Sequence, residues 1–175
     1  MQLFIKSVAV ISRVCGVIAA VLILLAILVV CQMVIMRYLL SASTVWQTEF
    51  VIFSLVGATL IGSPYVLLIK GHVNVDLLPL YLGERGRRIL ALIASTGGLL
   101  FCLLLTWNGT ELFIEALQGG WTTDTVWALP LWIPYLAMPI GIGLLSLQYL
   151  ADILSLTMGH GMPFAMQSHN PYEGE

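Results

Sequence analysis

VCGVIAAVLILLAILVVCQMVIM, residues 14–36, decides the fold. The stretch holds fourteen Val, Ile and Leu and no Asp, Glu, Lys or Arg. As a helix rising ~1.5 Å per residue it is long enough to cross a ~30 Å hydrocarbon layer. At roughly −0.3 to −0.6 kcal/mol for each central aliphatic residue, it inserts unaided. It follows Lys6 and Arg13 like a secretory leader, but the apolar core is too long for one and lacks a small-residue cleavage site. The expectation is an uncleaved first span.

The same charge-free pattern recurs in residues 50–69, 89–110 and 125–151. Four windows predict four transmembrane helices, over about 14–36, 47–69, 89–115 and 127–153, in one membrane domain covering 1–175. Helices are the expected form because lipid offers no partner to free backbone groups. Composition agrees: 59% of the chain is hydrophobic and only 9% charged, against about a quarter in soluble domains. A net charge of −2 gives no sign of a nucleic-acid partner. Cys15, Cys31 and Cys102 lie inside apolar runs, where a thiol is a small hydrophobe rather than a zinc ligand or half of a disulfide.

Lys6 and Arg13 precede the first span, and Lys70, Arg85, Arg87 and Arg88 lie between the second and third. The other connections carry only Arg37. The positive-inside bias therefore puts both termini and the middle loop in the cytoplasm. Arg85, Arg87 and Arg88 read as topology determinants among lipid headgroups, each contributing about 1 kcal/mol. Between them and the second span, residues 72–84 suit a short amphipathic segment lying in the inner interface. Residues 157–175 form a polar tail.

No ionisable residue remains near the bilayer midplane. Arg13 and Arg37 stand about 36 Å apart along a helix and reach opposite headgroup layers. Glu49, Glu111, Glu115 and Asp152 all fall near a face. Pumps and secondary carriers place carboxylates, histidines or broken helices at mid-depth, so this chain alone is expected to transport nothing. A haem subunit needs axial ligands within the membrane, yet the histidines are His72, His160 and His169, outside the spans. No catalytic, cofactor or metal residue is assigned. His72 and Asp76 share a face if their segment is helical, but a metal needs three or four ligands. Their expected role is structural, with a partner contact as the alternative.

Three features remain. Arg37 and Glu49 end the first span and open the second, joined by a short loop. An ion pair across that loop is the expectation; a partner contact and independent reach to the headgroups stay open. Pro130, Pro134 and Pro139 each remove a backbone donor, so the outer half of the fourth span should bend or loosen. Gly57, Ala58, Gly62 and Ser63 on the second span, Gly97 and Gly98 on the third, and Gly141 and Gly143 on the fourth permit close helix approach, within the chain or against another protein.

Taken in order, MRYLLSASTVWQTEF (36–50), GATLIGSPYVLLIKGHVNVDLL (57–78) and PLWIPYLAMPIGIGLLSLQYL (130–150) resemble the small, DctQ-like permease subunit of tripartite ATP-independent periplasmic (TRAP) transporters. The matching positions are Arg37-Tyr38, Trp46 with Glu49, Gly71-His72 with Asp76, and Pro130, Trp132, Pro139 and Gly141 in the fourth span. Family members often carry a bulky residue in the middle of the second span, where this chain has FSLVGAT (53–59). The resemblance implies a non-catalytic scaffold that binds the large TRAP permease subunit, while a periplasmic solute-binding protein delivers an organic acid for sodium-driven import. The cargo, a C4-dicarboxylate, sialic acid or similar solute, is not legible in this chain. Two alternatives stand beside this reading: a haem-free quinone-binding anchor of a respiratory complex, and a small exporter, for which Glu49 is too shallow.

Overall fold

The structure, a computed structural model, describes residues 2–69 and 84–157, with the side chains of Gln2, Glu84, Arg85, Arg87 and Arg88 left out. Gly71, His72 and Asp76, the interfacial segment expected over 72–84 apart from Glu84, and the tail after Thr157 lie outside the described residues. Four long apolar helices cross the structure. These are α1 (Gln2–Leu39), α2 (Val45–Leu68), α3 (Glu84–Gly119) and a last crossing made by short α4 (Trp132–Tyr135) and α5 (Ala137–Thr157). The fold is all-α, and no strand beyond one isolated bridge, Thr122 to Pro130, occurs among the described residues.

Helices outrun the charge-free windows because the backbone stays helical beyond the hydrocarbon. With 38 residues, α1 is about 57 Å long and carries Lys6 and Arg13 within it. It ends where the Met36 carbonyl accepts from both Leu40 and Ala42 and Ser41 turns the chain at φ 46°. In α2, Pro64 has no N–H to give the Leu60 carbonyl, and the Ser63 hydroxyl donates there instead at 2.8 Å. The fourth crossing shows the expected proline effect. Residues 121–131 form a loop, helix begins only at Trp132, and Leu136 interrupts it where Pro139 cannot donate to Tyr135.

Packing follows an order that differs from the chain. Helix α1 packs on α2, α2 on α5, and α5 on α3, while α1 touches α5 more lightly. Helix α3 has no comparable face against α1 or α2. The four crossings therefore make an open row, α1–α2–α5–α3. Burial agrees, since a third (33%) of the fourth span's most apolar window is buried, against 11% of the third's. Small residues set the contacts. A Cβ at Gly16 would lie 2.5 Å from Tyr65 Cγ, one at Gly98 would lie 2.8 Å from Tyr149 Cζ, and one at Gly141 would strike the Leu60 carbonyl. That carbonyl, relieved of its helical partner by Pro64, faces the bare Cα of Gly141, a geometry suited to a weak Cα–H···O contact.

One polar link stands out in the apolar packing. Ser12 Oγ donates to Gln148 Oε1 at 2.9 Å, and Gln148 Nε2 donates to Asp152 Oδ1 at 3.1 Å. Ser12 and Gln148 are 1% and 3% exposed. A buried amide needs such partners, and here it ties the N-terminal half of α1 to the middle of α5.

Candidate functional site

The end of the row where α1 gives way to α2 and α3 to α4 carries the most developed polar geometry. The connection from α3 to α4 is a small hairpin-like loop. Gly120 at φ 59° turns the chain off α3, and Trp121 N–H donates to the Ala116 carbonyl at 3.1 Å. Thr123 N–H then donates to the Leu129 carbonyl (3.0 Å), and Leu131 N–H to that of Trp121 (2.8 Å). The tip closes with Ala128 N–H on the Thr125 carbonyl at 3.0 Å and a positive φ of 46° at Ala128.

Two contacts strap this loop to the start of α2. Thr123 Oγ1 donates to Glu49 Oε2 at 3.1 Å while accepting from the Leu129 N–H at 3.1 Å. Trp127 meets Trp46 edge to face, ring centroids 6.4 Å apart at 61°. Between the strap and the end of α1 lies an open cavity of 370 Å³ lined by Arg37, Ser43, Thr44, Thr48, Glu49 and Thr125, among others. Arg37 and Glu49 face this one space without pairing, for no ion pair joins them. The ion pair expected from the sequence is thus corrected: Thr123, 74 positions along the chain, takes the carboxylate. Thr44 N-caps α2 in position only, since its side chain makes no capping bond. Its hydroxyl, in a residue 5% exposed that lines the cavity, has no hydrogen-bond partner among the described residues.

The other singled-out residues divide by depth and direction. Tyr38 is 82% exposed beside the cavity, and Trp132 sits exposed at the start of α4. Gly57 is buried in ordinary contact with Leu22 of α1, and Gly141 is buried on α2, so both serve packing within this chain. Pro130 and Pro139 flank the loosened start of the last crossing. Arg85, Arg87 and Arg88 lie in the first turns of α3, where only the backbone is described. Among the described residues no three His, Cys, Asp or Glu come together as metal ligands.

Sequence reasoning missed Thr44, Thr123, Trp127, Ser12 and Gln148. For Gln148 a signal existed: an amide inside LSLQYLAD, with Asp four residues on, demands a partner in lipid. For the threonines there was none, because hydroxyls in a polar loop announce no tertiary partner.

Residues 26–158 match the family described as "Tripartite ATP-independent periplasmic transporters, DctQ component". Among curated relatives, the C4-dicarboxylate TRAP transporter small permease protein DctQ of Vibrio cholerae is 31% identical over 139 residues, covering 67% of this chain and 60% of the relative. The protein of the same name from Rhodobacter capsulatus is 28% identical over 106 residues, covering 61% and 46%. The isethionate TRAP transporter permease protein DctMQ of Oleidesulfovibrio alaskensis is 25% identical over 113 residues, covering 65% of this chain but 18% of the relative. The chain thus spans 60% or less of the length of these relatives. No solved structure matches it.

Proposed function

Because the chain belongs to the DctQ component family of tripartite ATP-independent periplasmic transporters, we propose that it is the fixed small membrane subunit of such a transporter. Its work is to hold a large permease subunit in the bilayer while that subunit, supplied by a periplasmic binding protein, imports a small organic acid with sodium. The observation that carries this reading is the family match joined to four apolar crossings with no ionisable residue at mid-depth. A carrier must compensate a charged cargo where water is absent, and this chain has nothing there to do it with. A rigid support needs the opposite: interhelical contacts set by small residues and outer faces apolar enough to stay in lipid.

Further support comes from the relatives. The name DctMQ joins two components in one protein, and this chain aligns with only 18% of it, as a small part fused to a much larger one would. Two relatives are named for C4-dicarboxylates and one for isethionate, so the cargo class here is a small organic anion. In this reading the chain has no catalytic residue, both termini face the cytoplasm, and the exposed Tyr38 and Trp132 are candidate contacts for the large subunit.

The test is uptake into proteoliposomes under an inward sodium gradient, with the periplasmic binding protein and labelled organic acid outside. Vesicles holding this chain alone are expected to take up nothing, and vesicles holding it with the large permease are expected to accumulate label. Sodium-dependent uptake by the chain alone overturns the proposal.

A further inference from the structure

We propose that the cavity at the outer ends of α1 and α2 binds the headgroup of a zwitterionic phospholipid of the ethanolamine type. Its phosphate lies against Arg37 and the Thr44 hydroxyl, and its ammonium against Glu49. The cavity has the depth for this ligand. Arg37 follows the last residue of the apolar window 14–36, and Glu49 lies in the second turn of α2, so both stand where hydrocarbon gives way to headgroups.

The charges match as well. Among the described residues the Arg37 guanidinium has no acidic partner, although it shares the cavity with a carboxylate. Glu49 gives one oxygen to Thr123 and keeps acceptor capacity to spare. Opposite charges lining one open space without closing on each other suit a ligand that carries both signs. The anionic end gains further partners. The Thr44 hydroxyl is unpartnered in a residue 5% exposed that lines the cavity, and the first N–H groups of α2 are left without a side-chain cap. On the hydrocarbon side of Arg37, Val34 and Ile35 of α1 are 47% and 54% exposed, an apolar ledge for acyl chains.

This chemistry ranks headgroups. Phosphatidylglycerol offers the phosphate but presents only uncharged hydroxyls to Glu49. Phosphatidylcholine offers both charges, but its methylated ammonium cannot donate a hydrogen bond. Inorganic phosphate and free phosphoethanolamine lack contact with the ledge.

The experiment uses the full chain, purified in mild detergent, delipidated, and titrated with dioleoyl-phosphatidylethanolamine, -phosphatidylglycerol or -phosphatidylcholine under native mass spectrometry. Ethanolamine lipid is expected to be retained about tenfold better than the glycerol lipid, the low end of what a hydrogen bond to a charged group supplies. Arg37→Gln should lose both lipids. Glu49→Gln, whose amide oxygen can still accept from Thr123 and so keeps the strap, should abolish the preference while retaining the glycerol lipid. Glu111→Gln, at a carboxylate that accepts from Trp107 on the exposed face of α3, should change nothing. Each variant is checked for unchanged elution and helicity. Equal retention of the three lipids, or a preference that survives both cavity variants, overturns the proposal. Free phosphoethanolamine binding as tightly as the lipid assigns the cavity to soluble zwitterions and overturns it too. So does loss of the lipid on adding the large permease when Arg37→Gln also breaks that complex, because the occupant is then a protein side chain. None of these readouts depends on transport.

Discussion

Replacing Gly141 by Ala tests the contact at the centre of the row. A Cβ there would meet the Leu60 carbonyl oxygen and lie 2.5 Å from its carbon and 3.0 Å from Ile61 N, where ordinary contact begins at 3.4 Å. Both partners are backbone, so no side chain can swing aside and α5 must retreat from α2. A retreat of about 1 Å forfeits a quarter to a half of the dispersion attraction along the seam. Overpacking of this kind costs about 1–3 kcal/mol, offset by up to about 1 kcal/mol from the better helix propensity of alanine. The net expectation is a loss of about 1–2 kcal/mol. Gly97 of α3 is the control, because a Cβ there has nothing within 4 Å. Gly97→Ala gains propensity alone and should be neutral or slightly stabilising. Unfolding in mixed micelles of rising sodium dodecyl sulfate fraction, followed by tryptophan fluorescence and circular dichroism, separates the two. The reasoning is refuted if Gly141→Ala unfolds no earlier than the parent chain, or if Gly97→Ala falls with it.

Three further outcomes follow from the polar contacts. Ser12→Ala leaves the Gln148 carbonyl oxygen buried without its donor and should cost about 1 kcal/mol in the same unfolding assay; a Ser12→Ala, Gln148→Leu double variant should recover part of that loss. Gln47 is 2% exposed with Oε1 unpartnered, so Gln47→Leu should be neutral or stabilise by up to about 1 kcal/mol, and a clear destabilisation would mean that this amide has a partner. Thr123→Val removes both the donor to Glu49 and the acceptor for Leu129 N–H. It should speed proteolytic nicking near Val126, which is 97% exposed, severalfold while leaving helicity intact.

The number of crossings was legible because charge is so costly in lipid that its absence marks a span directly. Helix ends were less so. Lys6 and Arg13 mark where the first crossing leaves hydrocarbon, yet α1 runs on to Gln2 because water does not stop a helix that lacks breakers. Pro130, Pro134 and Pro139 announced disorder in the ladder of the fourth crossing, and the interruption at Leu136 is its form. Partners across the fold were not legible. Glu49 was expected to meet Arg37, its neighbour across a short loop, because opposite charges in sequence proximity are the visible cue. A hydroxyl brought in by the folding of a distant loop leaves no such cue.

The order of helices in space has a consequence for how the chain is made. The ribosome delivers α1, α2 and α3 before α5, yet among the described residues α3 finds its extended neighbour only in α5, which also inserts beside α2. During synthesis the third crossing must wait in the bilayer without an extended partner from its own chain. A nascent chain stopped before residue 132 should therefore hold a paired first hairpin and a stray third helix, a natural substrate for quality-control proteases. The final segment to emerge is the keystone that turns a hairpin and a lone helix into one body.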